Sequence, residues 1–334
     1  MKLGLYLCNH FPAEDSMAAR LEGLVAQTRF AREAGFASLW APNHFLTKPL
    51  QMIQAIPLLA RVAPEAEGMM IGPNVLILPM LNPMKVAEEA ASMDLLTGGR
   101  YVLGVGLGYR EGEFVAAGVA RSERVSRLEE GIEVIRRLWS EEVVIHRGKH
   151  FTIEEMGLGL KPLQRPGPPI MVAASVEPAI RRAARLGDAW LITSYPSGQI
   201  LKGQMGTYRE ALTAAGKEMP ADAPIIRECY VSPNHGRALE ECRGPLAYKY
   251  ASYASWGQDK FLPESERFDQ PFEKFVQDRF IIGDASYCRE EILRYRESLG
   301  VTHFIMRVQW PGLDQEKVMR TIDLLGREVL PSLA

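Results

Sequence analysis

The sequence predicts an α/β fold, a (β/α)8 barrel of the TIM type, from three observations. Short apolar runs alternate with longer amphipathic segments. The alternation repeats eight times, and 334 residues suit one barrel of that kind. With 47% of residues apolar, the chain can bury a sizeable core. A doubly wound sheet usually has fewer units and would leave the later ones as a second domain. The expectation is a single barrel domain over residues 1–334.

The units follow in order. Residues 2–7 (KLGLYL) read as the first strand. Residues 17–35 carry apolar side chains at helical spacing and stop at Gly35, a natural helix end. Residues 36–40 (FASLW) are the second strand, and 49–63 its helix, with Pro57 expected to kink it. Residues 69–78 (MMIGPNVLIL) and 84–99 form the third pair, and 100–106 (RYVLGVG) and 121–140 the fourth. Then come 168–175 with 177–187, 188–194 with 198–216, 223–232 with 236–254, and 302–308 with 314–330.

Two insertions break the rhythm, near 143–168 and 255–280. The first reads as a hairpin followed by a Pro/Gly-rich surface loop. The second mixes aromatic and charged residues and has the character of either a lid or a plain elaboration.

A formal net charge of −2 with no long basic run argues against a nucleic-acid partner. The four cysteines, Cys8, Cys229, Cys242 and Cys288, are far apart and form no CxxC pair, so buried reduced thiols are expected. No HExxH or Cys/His spacing points to a metal. The apolar run at the N-terminus is too short for a signal peptide, and no stretch is long enough to cross a bilayer. A cytoplasmic protein without a membrane partner is expected.

The stretch 100–114, RYVLGVGLGYREGEF, places Gly104, Gly106 and Gly108 on alternate positions. The dinucleotide fingerprint GxGxxG fails in both registers, because Glu111 or Tyr109 stands where the third glycine should be. Alternate residues of a strand share a face, so the three glycines bare one face near the barrel mouth. That serves either a closely approaching ligand or a tight barrel bend.

Other polar residues fall at strand ends. Asn43 and His44 follow the second strand, at the catalytic face of a barrel. His10, after the first strand, can also line the mouth. His146 and His150, in the hairpin, are expected at the surface, and His303 begins the last strand at the opposite end. Arg307 sits near the end of the eighth strand, where it meets a ligand or pairs with Glu228 or another acid. Arg110 is a candidate for balancing phosphate charge or for pairing with Glu111 or Glu113. Trp256, Phe261 and Phe272 are candidates for covering the mouth.

The stretch MDLLTGGRYVLGVGLGYREGEF resembles the luciferase-like monooxygenase family, that of bacterial luciferase. So do AREAGFASLWAPNHF, IGPNVLILPMLNPMKVAEEAASMD, LKPLQRPGPPIMVAAS, AARLGDAWL, FIIGDASYCREEI and LLGREVLPSL, in the same order along nearly the whole chain. The resemblance implies a (β/α)8 barrel that binds reduced FMN, or alternatively the deazaflavin F420, in its mouth. It implies that Gly106, Leu107, Gly108 and Tyr109 lie beside the cofactor, with Ala174, Ser175 and Val176. It implies a non-proline cis peptide around Pro73-Asn74-Val75, with the Asn74 amide at a flavin edge. Pro73 departs from the commoner Gly-Thr at this place, and Asn43 from the Asp or Glu that often precedes the histidine. His44 matches the functional histidine of luciferase and is the expected catalytic residue; His10, Asn43, Trp256 and Arg307 are substrate-pocket candidates.

The activity implied is oxygenation of a small organic substrate with O2, reduced FMN coming from a separate reductase, in a homodimer. F420-dependent hydride transfer and a non-catalytic flavin-binding protein are the alternatives.

Overall fold

The computed structural model describes residues 1–333, without the side chains of Phe261 and Ser265. Its central strands are β1 (Lys2–Tyr6), β2 (Ser38–Ala41), β3 in two halves (Met70–Pro73 and Leu76–Ile77), β4 (Leu103–Gly106), β5 (Ile170–Ala174), β6 (Ala189–Ile192), β7 (Pro224–Val231) and β8 (His303–Arg307). All their pairings are parallel. Around the sheet they run from the first half of β3 through β2, β1, β8, β7, β6, β5 and β4 to the second half of β3. The path starts and ends on the same strand, and a bridge between Ile71 and Tyr101 draws the ends together into a nearly closed barrel. A further strand, Ile281–Gly283, pairs with β7 off this path.

Helices cover the outside of the strands, so the strands are buried on both faces and read as near-continuous apolar runs. The interior is packed by Tyr6, Trp40, Val102, Met171, Leu191, Ile226 and Ile305. At the N-terminal end of the strands, Trp40 Nε1 donates to Ser38 Oγ at 2.7 Å. Ser38 Oγ lies 2.6 Å from His303 Nε2, and His303 Nδ1 lies 3.0 Å from an Asp222 oxygen. This polar plug closes the end opposite the site, which is why His303 begins a strand.

Three expectations need correction. Residues 49–63 are not one kinked helix: the helix is Ala55–Val62, and Pro57 lies in its first turn, where a missing N–H breaks no intrahelical bond. Residues Gln51–Met52 instead pair with His10–Phe11. The third strand is not continuous, since Pro73 and the Asn74–Val75 cis peptide interrupt it. The hairpin Val144–Arg147 with Thr152–Met156 forms as expected, but its histidines are buried. Glu130 accepts the N–H groups of His150 and Phe151 and lies 3.2 Å from His146 Nε2. That carboxylate draws the hairpin turn onto helix Arg124–Ser140.

The alternate glycines face the interrupted strand. A Cβ on Gly104 would collide with the Pro73 carbonyl oxygen, and one on Gly106 would come 2.7 Å from Val75 Cγ2. Gly108 has φ +74, a conformation that suits glycine. Bare backbone on β4 thus lets the β3 chain pass close beside it. Gly104→Ala should lower unfolding free energy by ~2 kcal/mol or more, because the colliding partner is backbone. Gly112→Ala, in open space on helix Glu111–Ala116, should be neutral or slightly stabilising. Denaturant melts of the two variants make the comparison; equal effects would contradict this packing role.

Candidate functional site

The C-terminal ends of the strands enclose a cavity of about 260 Å³. Gly106, Leu107, Gly108, Tyr109, Ala174, Ser175, Val176, Asn74, Asn43, His44 and Arg307 all line it. Two pocket candidates do not. His10 is buried beneath, in its short pairing with Met52. Trp256 packs behind the wall, its ring 5.9 Å from that of His44.

His44 is held by an acid that the sequence pattern did not single out. Glu113 Oε1 accepts from Phe45 N–H at 2.8 Å, lies 3.1 Å from Arg110 Nη1 and lies 3.2 Å from His44 Nδ1. Burial works against ionisation of Glu113, yet His44, the Phe45 N–H and Arg110 hold its carboxyl below the usual range. An ionised carboxylate only accepts, so Nδ1 is the nitrogen that donates to Glu113, and Nε2 is left free of that bond. Arg110 also donates to Phe45 O at 2.9 Å and lies 4.6 Å over the Trp256 ring. Of its two possible partners it takes Glu113, and so is committed to the His44 loop. Asn43 is committed too, its Oδ1 accepting from Ala55 N–H at the start of a helix.

On the β4–β5 side the cation that faces the cavity is Arg124, at the start of helix Arg124–Ser140, a residue that the sequence reading did not single out. Burial and neighbouring Arg121 hold its pKa down, and it forms no salt bridge among the described residues. Its neighbours are taken: Arg121 pairs with Glu111, and Arg182 and Arg185 with Glu129. Ser175 does not cap the following helix, Glu177–Leu186; the cap residue is Val176, with no side-chain bond, and the Ser175 hydroxyl lies at the cavity wall within hydrogen-bonding reach of the Tyr195 side chain. Tyr6, Tyr195, Tyr253, Gln258 and Ile226 complete much of the lining, none of them in a recognisable motif.

Several polar atoms on this lining, although buried, lack hydrogen-bond partners among the described residues: Asn74 Nδ2, Tyr109 OH, and Nε and Nη2 of Arg307. Unpaired buried polar groups are costly, so such a cluster marks a place for a polar ligand. A planar heteroaromatic ring with polar edges and an anionic tail fits this set.

The second insertion forms the roof through Gln258, with Phe268 packed on Tyr195 at 5.8 Å between ring centres. Glu266 pins it by accepting from Ser197 Oγ and from Arg279. Phe272, expected over the mouth, instead lies under the guanidinium of Arg243. The Phe261 side chain lies outside the described residues.

Residues 1–303 match the family model for luciferase-like monooxygenases. The chain belongs to that family. Family members are oxidoreductases that use a flavin or F420. The chain is 30% identical over 316 residues to an F420-dependent glucose-6-phosphate dehydrogenase of Microbacterium testaceum, covering 91% of this chain and 90% of that one. In fold it is similar to the monooxygenase RslO1 from Streptomyces bottropensis, with TM-score 0.88 and 24% identity over 100% of both chains. It is also similar to the FMN-bound oxygenating constituent of 3,6-diketocamphane monooxygenase of Pseudomonas putida, with TM-score 0.81 and 18% identity, covering 100% and 99%. No helix among the described residues is long and apolar enough to cross a membrane.

His10 gives a pH prediction. Burial, then the charges of Arg307, Lys249 and His44, hold its pKa well below the ordinary value. Above pH ~6.5 the residue is neutral folded and unfolded and adds no pH dependence. Below it the unfolded chain binds a proton that the folded chain refuses. Stability should then fall by up to ~1.4 kcal/mol per pH unit until the folded pKa is reached. Denaturant titrations of wild type and His10→Gln between pH ~5 and ~7.5 should show a shallower acid slope in the variant; identical slopes would contradict this.

Proposed function

We propose that this protein is a flavin-dependent monooxygenase that uses reduced FMN and O2 to oxygenate a small organic substrate. The observation that carries the choice of FMN is charge. The phosphate of FMN asks for one cation, and on the same cavity lining as Ser175, Val176 and the Gly106–Tyr109 turn Arg124 forms no salt bridge among the described residues, while its flanking arginines pair with carboxylates. The F420 tail carries several carboxylates as well as a phosphate and asks for more. The F420 reading keeps its own support in the Microbacterium relative.

In this reading the backbone N–H groups of Gly106–Tyr109, the Ser175 hydroxyl and Arg124 hold the phosphate. Asn74 Nδ2 and Tyr109 OH bond polar edges of the ring. Reduced FMN, when bound, supplies the electrons that activate O2. His44, fixed by Glu113, offers Nε2 as proton acceptor to substrate or to reacting oxygen and is the catalytic residue. Trp256 and Phe268 back the wall and roof, keeping water from the reacting atoms. Reduced FMN comes from a separate reductase, since the chain carries no NAD(P)H-binding fingerprint. A homodimer would cover the exposed Met84, Leu95 and Leu96 of helix Pro83–Leu96.

Anaerobic titrations with reduced FMN and with reduced F420, followed by absorbance and fluorescence, test the reading. Reduced FMN should bind at micromolar level or tighter, with F420 at least tenfold weaker, about 1.4 kcal/mol. His44→Ala should retain reduced-FMN affinity within about twofold while product formation after O2 is added falls ~100-fold or more. Tight F420 binding without FMN binding would overturn the proposal in favour of hydride transfer.

A further inference from the structure

Across the cavity from the glycine turn lies a second charged group. In the strand order β8 stands four staves from β4, so Arg307 and the Gly106–Tyr109 turn occupy opposite sides of the mouth. Arg307 is 4% exposed, and its guanidinium lies 4.4 Å over the Tyr6 ring. Its nearest acid is Glu228 on β7, itself fully buried, with Arg307 Nη1 3.9 Å away. Glu228 is occupied elsewhere. It accepts from Lys249 and from Trp310 Nε1, and from Tyr250 OH at 3.0 Å. Burial opposes its charge, but Lys249 and Arg307 hold it ionised. One carboxylate thus serves two buried cations. The Tyr253 hydroxyl lies within reach of the Arg307 side chain, but Nε and Nη2 have no hydrogen-bond partner among the described residues, and of the three charged groups Arg307 lines the cavity.

A guanidinium buried with unpaired N–H groups and an undercompensated charge is expensive, and a bound anion would relieve it. A phosphate held at the glycine turn and Arg124 is four staves away. The walls beside Arg307 are Tyr6, Tyr253 and Ile226, aromatic and apolar. Resting on the monooxygenase reading for the word substrate, we propose that Arg307 is the substrate anchor of this site and that the substrate is a small, largely apolar molecule carrying one anionic oxygen, a carboxylate or an ionised phenol or enol. The planar guanidinium pairs with that oxygen while the apolar body lies against Tyr6 and Tyr253.

The same anionic chemistry can come from the ring of reduced FMN, and the test separates the two sources. Benzoate and its neutral analogue benzamide serve as probes, measured by calorimetry on the wild-type protein with and without saturating reduced FMN, under nitrogen. Benzoate should bind about tenfold or more tightly than benzamide. Arg307→Met should abolish that preference and leave the affinity for reduced FMN within about twofold. Arg307→Lys should keep part of the preference, since charge remains while the planar fork is lost. Equal binding of the two probes to wild type, which needs no variant, overturns the proposal. A preference that survives Arg307→Met overturns it too. Loss of FMN affinity in Arg307→Met, matched by no change in probe preference, assigns Arg307 to the cofactor ring instead. A benzoate preference in protein that binds no FMN keeps the anion anchor and removes the monooxygenase reading.

Discussion

The close passage of β4 along the interrupted third strand is the constraint on which the mouth of this barrel depends. Without side chains at Gly104 and Gly106, the Pro73 carbonyl and Val75 can lie against β4. That packing fixes the Asn74–Val75 peptide at the cavity wall and turns the chain at Gly108 toward Tyr109. The same residues therefore shape the fold and line the cavity. A glycine pattern that would be a weakness in an ordinary strand here positions an amide, a phenol and a run of backbone N–H groups around one space.

Charge distribution then divides that space. On the β4–β5 side gather an arginine without a salt bridge among the described residues, the Ser175 hydroxyl beside Tyr195, and backbone N–H groups. On the β8 side Arg307 shares Glu228 with Lys249, whose ammonium is pushed down to about 7 by burial and by Arg307. Between them stands His44, whose orientation comes from a carboxylate 69 positions later in the chain. The rest of the wall is largely tyrosine and apolar residues, with Thr193, Ser194 and Gln258 among them, which gives a planar ligand contact area.

Much of this was legible in the sequence. Eight alternations gave the strands to within a few residues, because buried parallel strands are apolar throughout and their helices carry a clear stripe. The mouth residues from β3, β4 and β5 were legible only through resemblance, since glycine spacing alone fits a bend as well as a binding site. What escaped was pairing between distant residues. Glu113 and Arg124 look like ordinary helix-surface charges until the β4 loop folds back over His44 and the cavity. His146 and His150 look like hairpin surface residues until Glu130 captures the turn. Pro57 reads as a kink because sequence does not show how late its helix begins. No local period encodes such long-range choices, which depend on which carboxylate is closest after folding.

The central claim is that one flat anionic cofactor spans this mouth with its phosphate at the β4–β5 side. Amide hydrogen exchange with and without saturating reduced FMN tests it most directly. The account predicts slowed exchange at residues 106–109 and 174–177, with a smaller effect at 74–75, and none at Glu14, Gly244, Tyr248 and Gly312, which line a separate groove. Protection confined to that groove, or no change at 106–109 and 174–177 in a protein that demonstrably binds FMN, would contradict it.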